Sequence, residues 1–343
     1  MKDFRELTRR QRLLKLRELA QCSLISYGLE SASLRFIQYF ENIIYRVDLP
    51  WVVKDRTSND PYLPGRFLLR IHASRNNDAI ASELTWLAAL SQEAGMPVPA
   101  PVLTMDGKLL TTITTPALPG GRVVSLMRWL DGRRPRKGMK PKQFSALGQV
   151  VARMHNFAAG WQPPSGFKRL HWNWDSLMGG SLFKHPLDEV ITTIPTKFLK
   201  PCMAISTKVK KVMEAFGKGP EAYGLIHGDL YPENVLFKDG KAFPIDFEDC
   251  GYGYWMMDIA VALCEWAWGD EWELVRKAFQ SGYSQVRALP EEQWRQLDFF
   301  IAAQFATLVL WSSDMLMNDP MRVAEYGPWR EKVGNQLLGY FNR

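Results

Sequence analysis

The sequence predicts an α+β protein of two lobes, a small antiparallel-sheet N-lobe followed by a larger, mainly helical C-lobe. Apolar and polar residues alternate in short runs between residues 34 and 129, the two-residue period of strands. From residue 142 onward apolar residues recur at three- and four-residue steps, the period of helices. A chain of 343 residues is long for one compact core, and with 46% hydrophobic and 23% charged residues it has the composition to fill two.

The first element is a helix over about Lys2–Tyr27, rich in Arg, Lys and Glu with leucines at helical spacing, and stopped by Gly28. It is expected to lie outside the core, as an N-terminal extension over residues 1–28. Residues 29–130 make the N-lobe. Leu34–Phe40 and Ile43–Leu49 read as strands joined by a tight turn at Glu41–Asn42. The prolines and polar residues of 50–65 read as an exposed insertion, followed by a strand at Phe67–His72. A helix over Asn77–Glu93 puts Ile80, Leu84 and Leu87 on one face with Glu83 beside them. Gly95–Met96–Pro97 ends it, and Pro101–Met105, Leu109–Thr114 and Val123–Trp129 complete the sheet.

Residues 131–343 make the C-lobe. It opens on a loop, residues 133–142, in which six of ten residues are basic, so most of the net charge of +7 is local. That loop reads either as a contact for an anionic partner or as a solvated connector. A helix over Lys142–Ala159 aligns Phe144, Leu147, Val151, Met154 and Phe157, with His155 read as a core residue. Residues 160–200, rich in Trp, Pro and Gly, show no clear period and read as a substrate-shaping insert or lid. Helices follow at Met203–Phe216, Trp255–Trp268, Glu291–Trp311 and Met321–Phe341. Between them, Glu265–Glu273 interleaves carboxylates with tryptophans. This pattern fits a cationic ligand, and equally a helix pair that buries its indoles and wets its acids.

Several classes are set aside. There is no G-x-G-x-x-G and no G-K-[ST], which removes dinucleotide-binding and Walker-type readings. The charged first residues are unlike a secretory signal, and the apolar run Phe299–Trp311 contains Gln304 and is too short for a bilayer. Four scattered cysteines imply reduced thiols without zinc. A cytoplasmic protein is expected, without membrane or nucleic-acid partners.

The chemistry concentrates in His227-Gly228-Asp229-Leu230-Tyr231-Pro232-Glu233-Asn234 and, shortly after, Ile245-Asp246-Phe247-Glu248-Asp249. Asp229 and Asn234 have the D-x-x-x-x-N spacing of kinase catalytic loops, and Asp246 opens a D-F-x triplet. Phosphoryl transfer from ATP needs an aimed acceptor hydroxyl and metal-neutralised phosphates more than covalent chemistry. Asp229 would take the hydroxyl proton, while Asn234 and Asp246 would hold magnesium (Mg2+). Val235–Phe237 and Ala242–Ile245, around the turn Lys238–Asp239–Gly240, form a hairpin that sets Asn234 and Asp246 side by side.

The H-G-D, N-V-L-F and I-D-F strings in register resemble the aminoglycoside phosphotransferase and choline kinase family. That family has the bilobal protein-kinase-like fold and includes homoserine kinases and a bacterial stress-response Ser/Thr kinase. The resemblance, over roughly residues 30–265, implies further roles. Arg70 takes the place of the phosphate-contacting lysine of protein kinases and would pair with Glu83. Asn42 lies in the nucleotide-positioning turn, either on phosphate or as a plain turn residue. Residues 123–132 resemble the strand entering the interlobe hinge, with the adenine-reading main-chain bonds at or near Met127 and Trp129. His155 and Asp258 match structural positions of the family, Asp258 as an anchor of the catalytic loop. The implied activity is an ATP- and Mg2+-dependent kinase acting on the hydroxyl of an amino alcohol, sugar, amino acid or aminoglycoside. A Ser/Thr protein kinase and a nucleotide-binding pseudokinase are the alternatives.

Overall fold

The computed structural model describes residues 4–39, 42–50, 61–73, 76–135, 138–318 and 323–342. Glu41 of the expected turn, residues 51–60 of the expected insertion, Arg136 and Lys137 of the basic loop, and Met321 lie outside these ranges. The chain divides into two compact units, residues 1–132 with 163–168, and residues 133–162 with 169–343.

In the first unit, β1 (Ser33–Tyr39), β2 (Ile43–Asp48), β3 (Tyr62–Ile71), β4 (Pro101–Val102), β5 (Thr111–Thr115) and β6 (Leu118–Leu130) form one antiparallel sheet. Its order is β1-β2-β3-β6-β4, with β5 also on β6. The 13-residue β6 can serve three partners because β3 takes Val124–Leu130 along one edge while β5, at Leu118–Val124, and β4, at Leu126–Met127, share the other. Strand β3 begins inside the expected insertion. Its register shifts between Tyr62 and Phe67, where Pro64 lacks the N–H that a regular ladder needs.

Helix α1 (Arg9–Ile25) starts on a capping box between Thr8 and Gln11. It is not an appendage, contrary to expectation. Leu16, Leu19, Ala20 and Leu24 are buried in one cluster with Leu34, Tyr45, Val47, Leu69, Ile71 and Val124 of the sheet. Fully burying each such side chain is worth about 1.5–3 kcal/mol, enough to hold the helix on the sheet despite its polar composition. Helix α2 (Asn77–Gln92), capped by Asn76, buries Ile80, Leu84, Leu87 and Leu90, and Glu83 with them. Residues 163–168 join this unit through Lys168, whose N–H meets Ser82 Oγ at 2.8 Å and whose Nζ meets Asp78 at 2.7 Å.

The second unit contains α3 (Pro141–Gly160), β7 (Leu170–Trp172), α4 (Trp174–Leu177), α5 (Leu187–Thr192) and α6 (Thr196–Phe216). Then come β8 (Tyr223–Ile226), β9 (Val235–Lys238), β10 (Lys241–Pro244), β11 (Gly251–Tyr254) and α7 (Trp255–Leu263). Helices α8 (Trp272–Ser284), α9 (Glu291–Trp294), α10 (Leu297–Asn318) and α11 (Val323–Phe341) complete it. A Cβ on Gly148 of α3 would stand 2.2 Å from Phe279 O, and one on Gly282 of α8 would stand 2.0 Å from Ser145 O. These two glycines let the helices cross at backbone contact.

Several boundaries differ from the sequence reading. Helix α6 runs through Pro201, starting seven residues before the expected Met203, because Phe198, Cys202, Ile205, Val209 and Met213 bury one continuous stripe. Helix α7 stops at Leu263, and a 3-10 turn at Cys264–Trp266 leads to Trp268, whose φ of 67° ends helical continuation. Residues Leu297–Met317 of α10 are, by length and composition, long and apolar enough to cross a bilayer, which corrects the shorter span expected. Yet 72% of that apolar window is buried, against α6, α7 and α11.

Candidate active site

The loop after β8 is fixed from beneath. Asp258 of α7, fully buried, accepts the main-chain N–H of His227 at 3.1 Å and of Gly228 at 2.9 Å. His155 Nε2 lies 3.1 Å from the same carboxylate, and its Nδ1 lies 2.8 Å from the Tyr283 hydroxyl. Burial drives the Asp258 carboxyl up, but the hydrogen bonds from His155 and from the Gly228 N–H are among the influences that outweigh it, so its pKa is lowered. Burial lowers His155 more than Asp258 raises it. The imidazole is therefore neutral: Nε2–H donates to Asp258 and Nδ1 accepts from Tyr283. The expected roles of His155 in the core and Asp258 as anchor both match this geometry.

His227 is set in the same way. Its Nε2 donates to Ile245 O at 3.1 Å, and its Nδ1 accepts the Asp229 N–H at 3.3 Å. Its ring lies 4.4 Å from that of Phe247. A histidine here ties the loop that carries Asp229 to the chain entering Asp246.

Asn234 Nδ2 donates to Asp229 Oδ2 at 2.7 Å and to the Asp229 carbonyl at 2.9 Å. With its nitrogen so committed, the amide presents its oxygen elsewhere, the donor a hard cation takes. The turn Asp239–Gly240, with φ of 50° and 76°, has the two positive angles of a two-residue hairpin, and it pairs Val235 with Pro244. Ile245 N–H then meets Asn234 O at 2.9 Å, so Ile245 continues the register across from Asn234 and Asp246 is the next residue along. Asp246 has φ of 65°, the left-handed region that side-chain-bearing residues seldom adopt.

The Asp229 carboxyl is pushed up to about 8, by burial first and then by the charges of Asp249 and Asp246, against the Asn234 hydrogen bond. The charges of Asp246 and Asp249 thus disfavour ionisation of Asp229. Among the described residues no three His, Cys, Asp or Glu are grouped closely enough to hold a metal by themselves. One carboxylate, one amide oxygen and ligand phosphates make the oxygen set that suits Mg2+, which seldom uses an all-protein cage.

In the first unit, Arg70 Nη1 meets Glu83 Oε1 at 2.7 Å, with the side chains 7% and 2% exposed. The expected ion pair forms, and it forms in the interior. Asn42 is buried, with Oδ1 accepting the Ala73 N–H at 2.9 Å, so it ties β2 to the chain leaving β3. Met127 requires a correction. His72 N–H bonds Val123 O, and alternation along the antiparallel ladder turns the N–H and C=O of Met127 onto Leu68. Its main-chain groups are used inside the sheet. Trp129 stands two residues on, past the regular part of the β3 ladder.

The Glu265–Glu273 stretch follows its structural reading. Trp272 is buried, Trp268 Nε1 donates to Gln336 O at 2.9 Å, and Trp266 packs edge-on against Phe144 at 4.7 Å. Sequence reading missed Asp249 as a neighbour of Asp229, and Tyr283 behind His155. The only local sign of the first was the acidic pair Glu248–Asp249 shortly after Asp246.

Among known proteins, residues 52–300 match the phosphotransferase enzyme family. Amicoumacin kinase of Bacillus subtilis (strain 168) is 25% identical over 251 residues, 71% of this chain and 66% of that protein. A homoserine kinase of Caulobacter sp. (strain K31) is 30% identical over 242 residues, 66% of this chain and 67% of that protein. The chain spans about two thirds of the length of these curated relatives. A solved microcompartment-associated aminopropanol kinase superposes with a TM-score of 0.72 at 24% identity, covering 94% of each chain. Amicoumacin kinase hAmiN in complex with AMP-PNP, Ca2+ and Ami superposes with a TM-score of 0.69 at 21% identity, covering 96% of this chain and 94% of that one. At these identities the structures establish the protein-kinase-like fold.

Proposed function

The chain belongs to the phosphotransferase enzyme family, and from that premise we propose that it is a cytoplasmic, ATP- and Mg2+-dependent kinase acting on a small-molecule hydroxyl. The acceptor class is an amino alcohol, sugar, amino acid or aminoglycoside. The observation that carries this reading is Asp229 held by Asn234, with Ile245 bonded to the Asn234 carbonyl and Asp246 following it.

Asp229 accepts a hydrogen bond from the acceptor hydroxyl and takes its proton as the new oxygen–phosphorus bond forms. Asn234 Oδ1 and the Asp246 carboxylate would hold Mg2+, which would supply charge neutralisation at the ATP phosphates. Asp229, raised by the charges of Asp246 and Asp249, would be ionised more readily with such a cation bound. Arg70, oriented by Glu83, binds a phosphate oxygen through its planar guanidinium. The adenine edge is read by main chain beyond Met127, from Trp129 onward.

A small acceptor is favoured over a protein for two reasons. The relatives are named for amicoumacin, homoserine and aminopropanol, and no A-P-E segment follows Asp246 in the sequence. The test is ATP turnover with Mg2+ against amino alcohols, sugars, amino acids, aminoglycosides and a protein acceptor, with Asp229→Asn beside the parent. Stimulation by one small-molecule class, lost in the variant while nucleotide binding persists, supports the proposal. Transfer that persists in Asp229→Asn overturns the base assignment, and stimulation by the protein alone overturns the acceptor class.

A further inference from the structure

Residues 169–172 grip the chain that follows Asp246 by its main chain. The Arg169 guanidinium donates to the carbonyl oxygens of Glu248 and Cys250. Trp172 Nε1 donates to the carbonyl oxygen between them, that of Asp249, at 2.7 Å. Leu170, His171 and Trp172 pair in parallel with Gly251, Tyr252 and Gly253. The His171 ring stacks on Tyr252 at 5.0 Å and 20°, and its Nδ1 lies 2.9 Å from the Tyr223 hydroxyl. Every residue of the segment thus engages residues 248–253.

The glycines on the other side leave room for this grip. A Cβ on Gly251 would stand 2.6 Å from Leu170 O, and one on Gly228 would stand 2.9 Å from Trp172 Nε1 and 2.6 Å from Asp249 O. The G-Y-G after Asp249 and the glycine of H-G-D therefore close on one strap. Such a strap answers a physical need. The turn that begins at Asp246 with a left-handed φ leaves successive carbonyls that require donors, and those from a charged guanidinium are the stronger kind.

We propose, on the reading that Asp229, Asn234 and Asp246 form the transfer site, that Arg169 and Trp172 are positioning residues that fix Asp246 and Asp249 against the catalytic loop and thereby set the enzyme's metal requirement. Partners that orient a metal ligand from behind typically change metal affinity by about 10- to 100-fold when removed.

The experiment compares the full-length parent, Trp172→Phe, Arg169→Met and Arg169→Lys. Trp172→Phe keeps an aromatic ring and deletes the indole donor, so it carries the test even where Arg169→Met fails to fold. Hydrogen exchange is measured on the metal-free proteins, and AMP-PNP binding is titrated with Mg2+. Trp172→Phe should speed exchange across residues 246–253 while α10 exchanges as in the parent. It should also raise the Mg2+ concentration for half-maximal binding about 10-fold, with Arg169→Lys falling between the parent and Arg169→Met. Parent-like exchange and Mg2+ dependence in Trp172→Phe overturn the proposal. If Asp246→Ala meanwhile loses Mg2+-dependent binding, the transfer site stands and only the strap fails. Binding by the parent that ignores Mg2+ overturns both.

Discussion

Asn234 donates one side-chain nitrogen to both the carboxylate and the main-chain carbonyl of Asp229, at 2.7 and 2.9 Å. The residue that orients the proposed base is therefore also the one proposed to offer the metal its amide oxygen. Asn234→Ala removes both functions and should lower kcat by at least about 100-fold. Asn234→Asp keeps an oxygen ligand but places a carboxylate against Asp229, and should also fail, with a weaker loss of Mg2+-dependent nucleotide binding. Steady-state kinetics with Mg2+ titration checks both. Parent-like kcat in Asn234→Asp would mean that the donated hydrogen bond is dispensable.

The Arg70–Glu83 pair separates stability from chemistry. Glu83→Ala leaves a buried guanidinium without its carboxylate and should cost about 3–5 kcal/mol in urea unfolding. The double variant Arg70→Met, Glu83→Leu removes both charges and should recover most of that stability. It should still bind ATP poorly, because the phosphate contact is gone. A double variant that is stable and fully active would make the pair purely structural.

Gly228 has φ of 82°, and a Cβ there would press on Asp249 O at 2.6 Å. Both strain and contact oppose a side chain. Gly228→Ala should destabilise the protein by about 1–3 kcal/mol and reduce turnover far more than nucleotide binding, since the neighbouring Asp229 moves with it. Thermal unfolding together with kcat and KM for ATP provides the comparison. Equal kcat in the two proteins would remove the geometric argument.

His72 gives the protein part of its acid sensitivity. Burial first, and the charge of Arg70 second, lower its pKa from 6.5 to about 3. Between those values the unfolded chain binds a proton that the native chain does not. The stability His72 contributes is thus fully present above about pH 6.5 and is lost as the pH falls through about 3, at up to about 1.4 kcal/mol per pH unit. In His72→Gln, the drop in urea midpoint between pH 7 and pH 4.5 should be smaller than in the parent. An identical drop would assign the acid limb to other groups.

Local chemistry made much of the site legible from sequence. An Asp-Gly turn between two short apolar runs specifies the hairpin that brings the chain leading into Asp246 back beside Asn234, because turn type and strand period act over a few residues. The Arg70–Glu83 pair was legible through resemblance and one helical face. What tertiary structure alone decided lies in contacts between distant positions. Tyr283 reaches His155 across 128 residues of sequence, and Arg169 and Trp172 meet residues 248–250 across about 80. Helix α1 has no strong apolar stripe, so its place in the first core depends on the sheet it covers. Met127 was assigned to the wrong partner because sequence reveals a strand but not the phase of its hydrogen bonds, which is set only when the neighbouring strands dock.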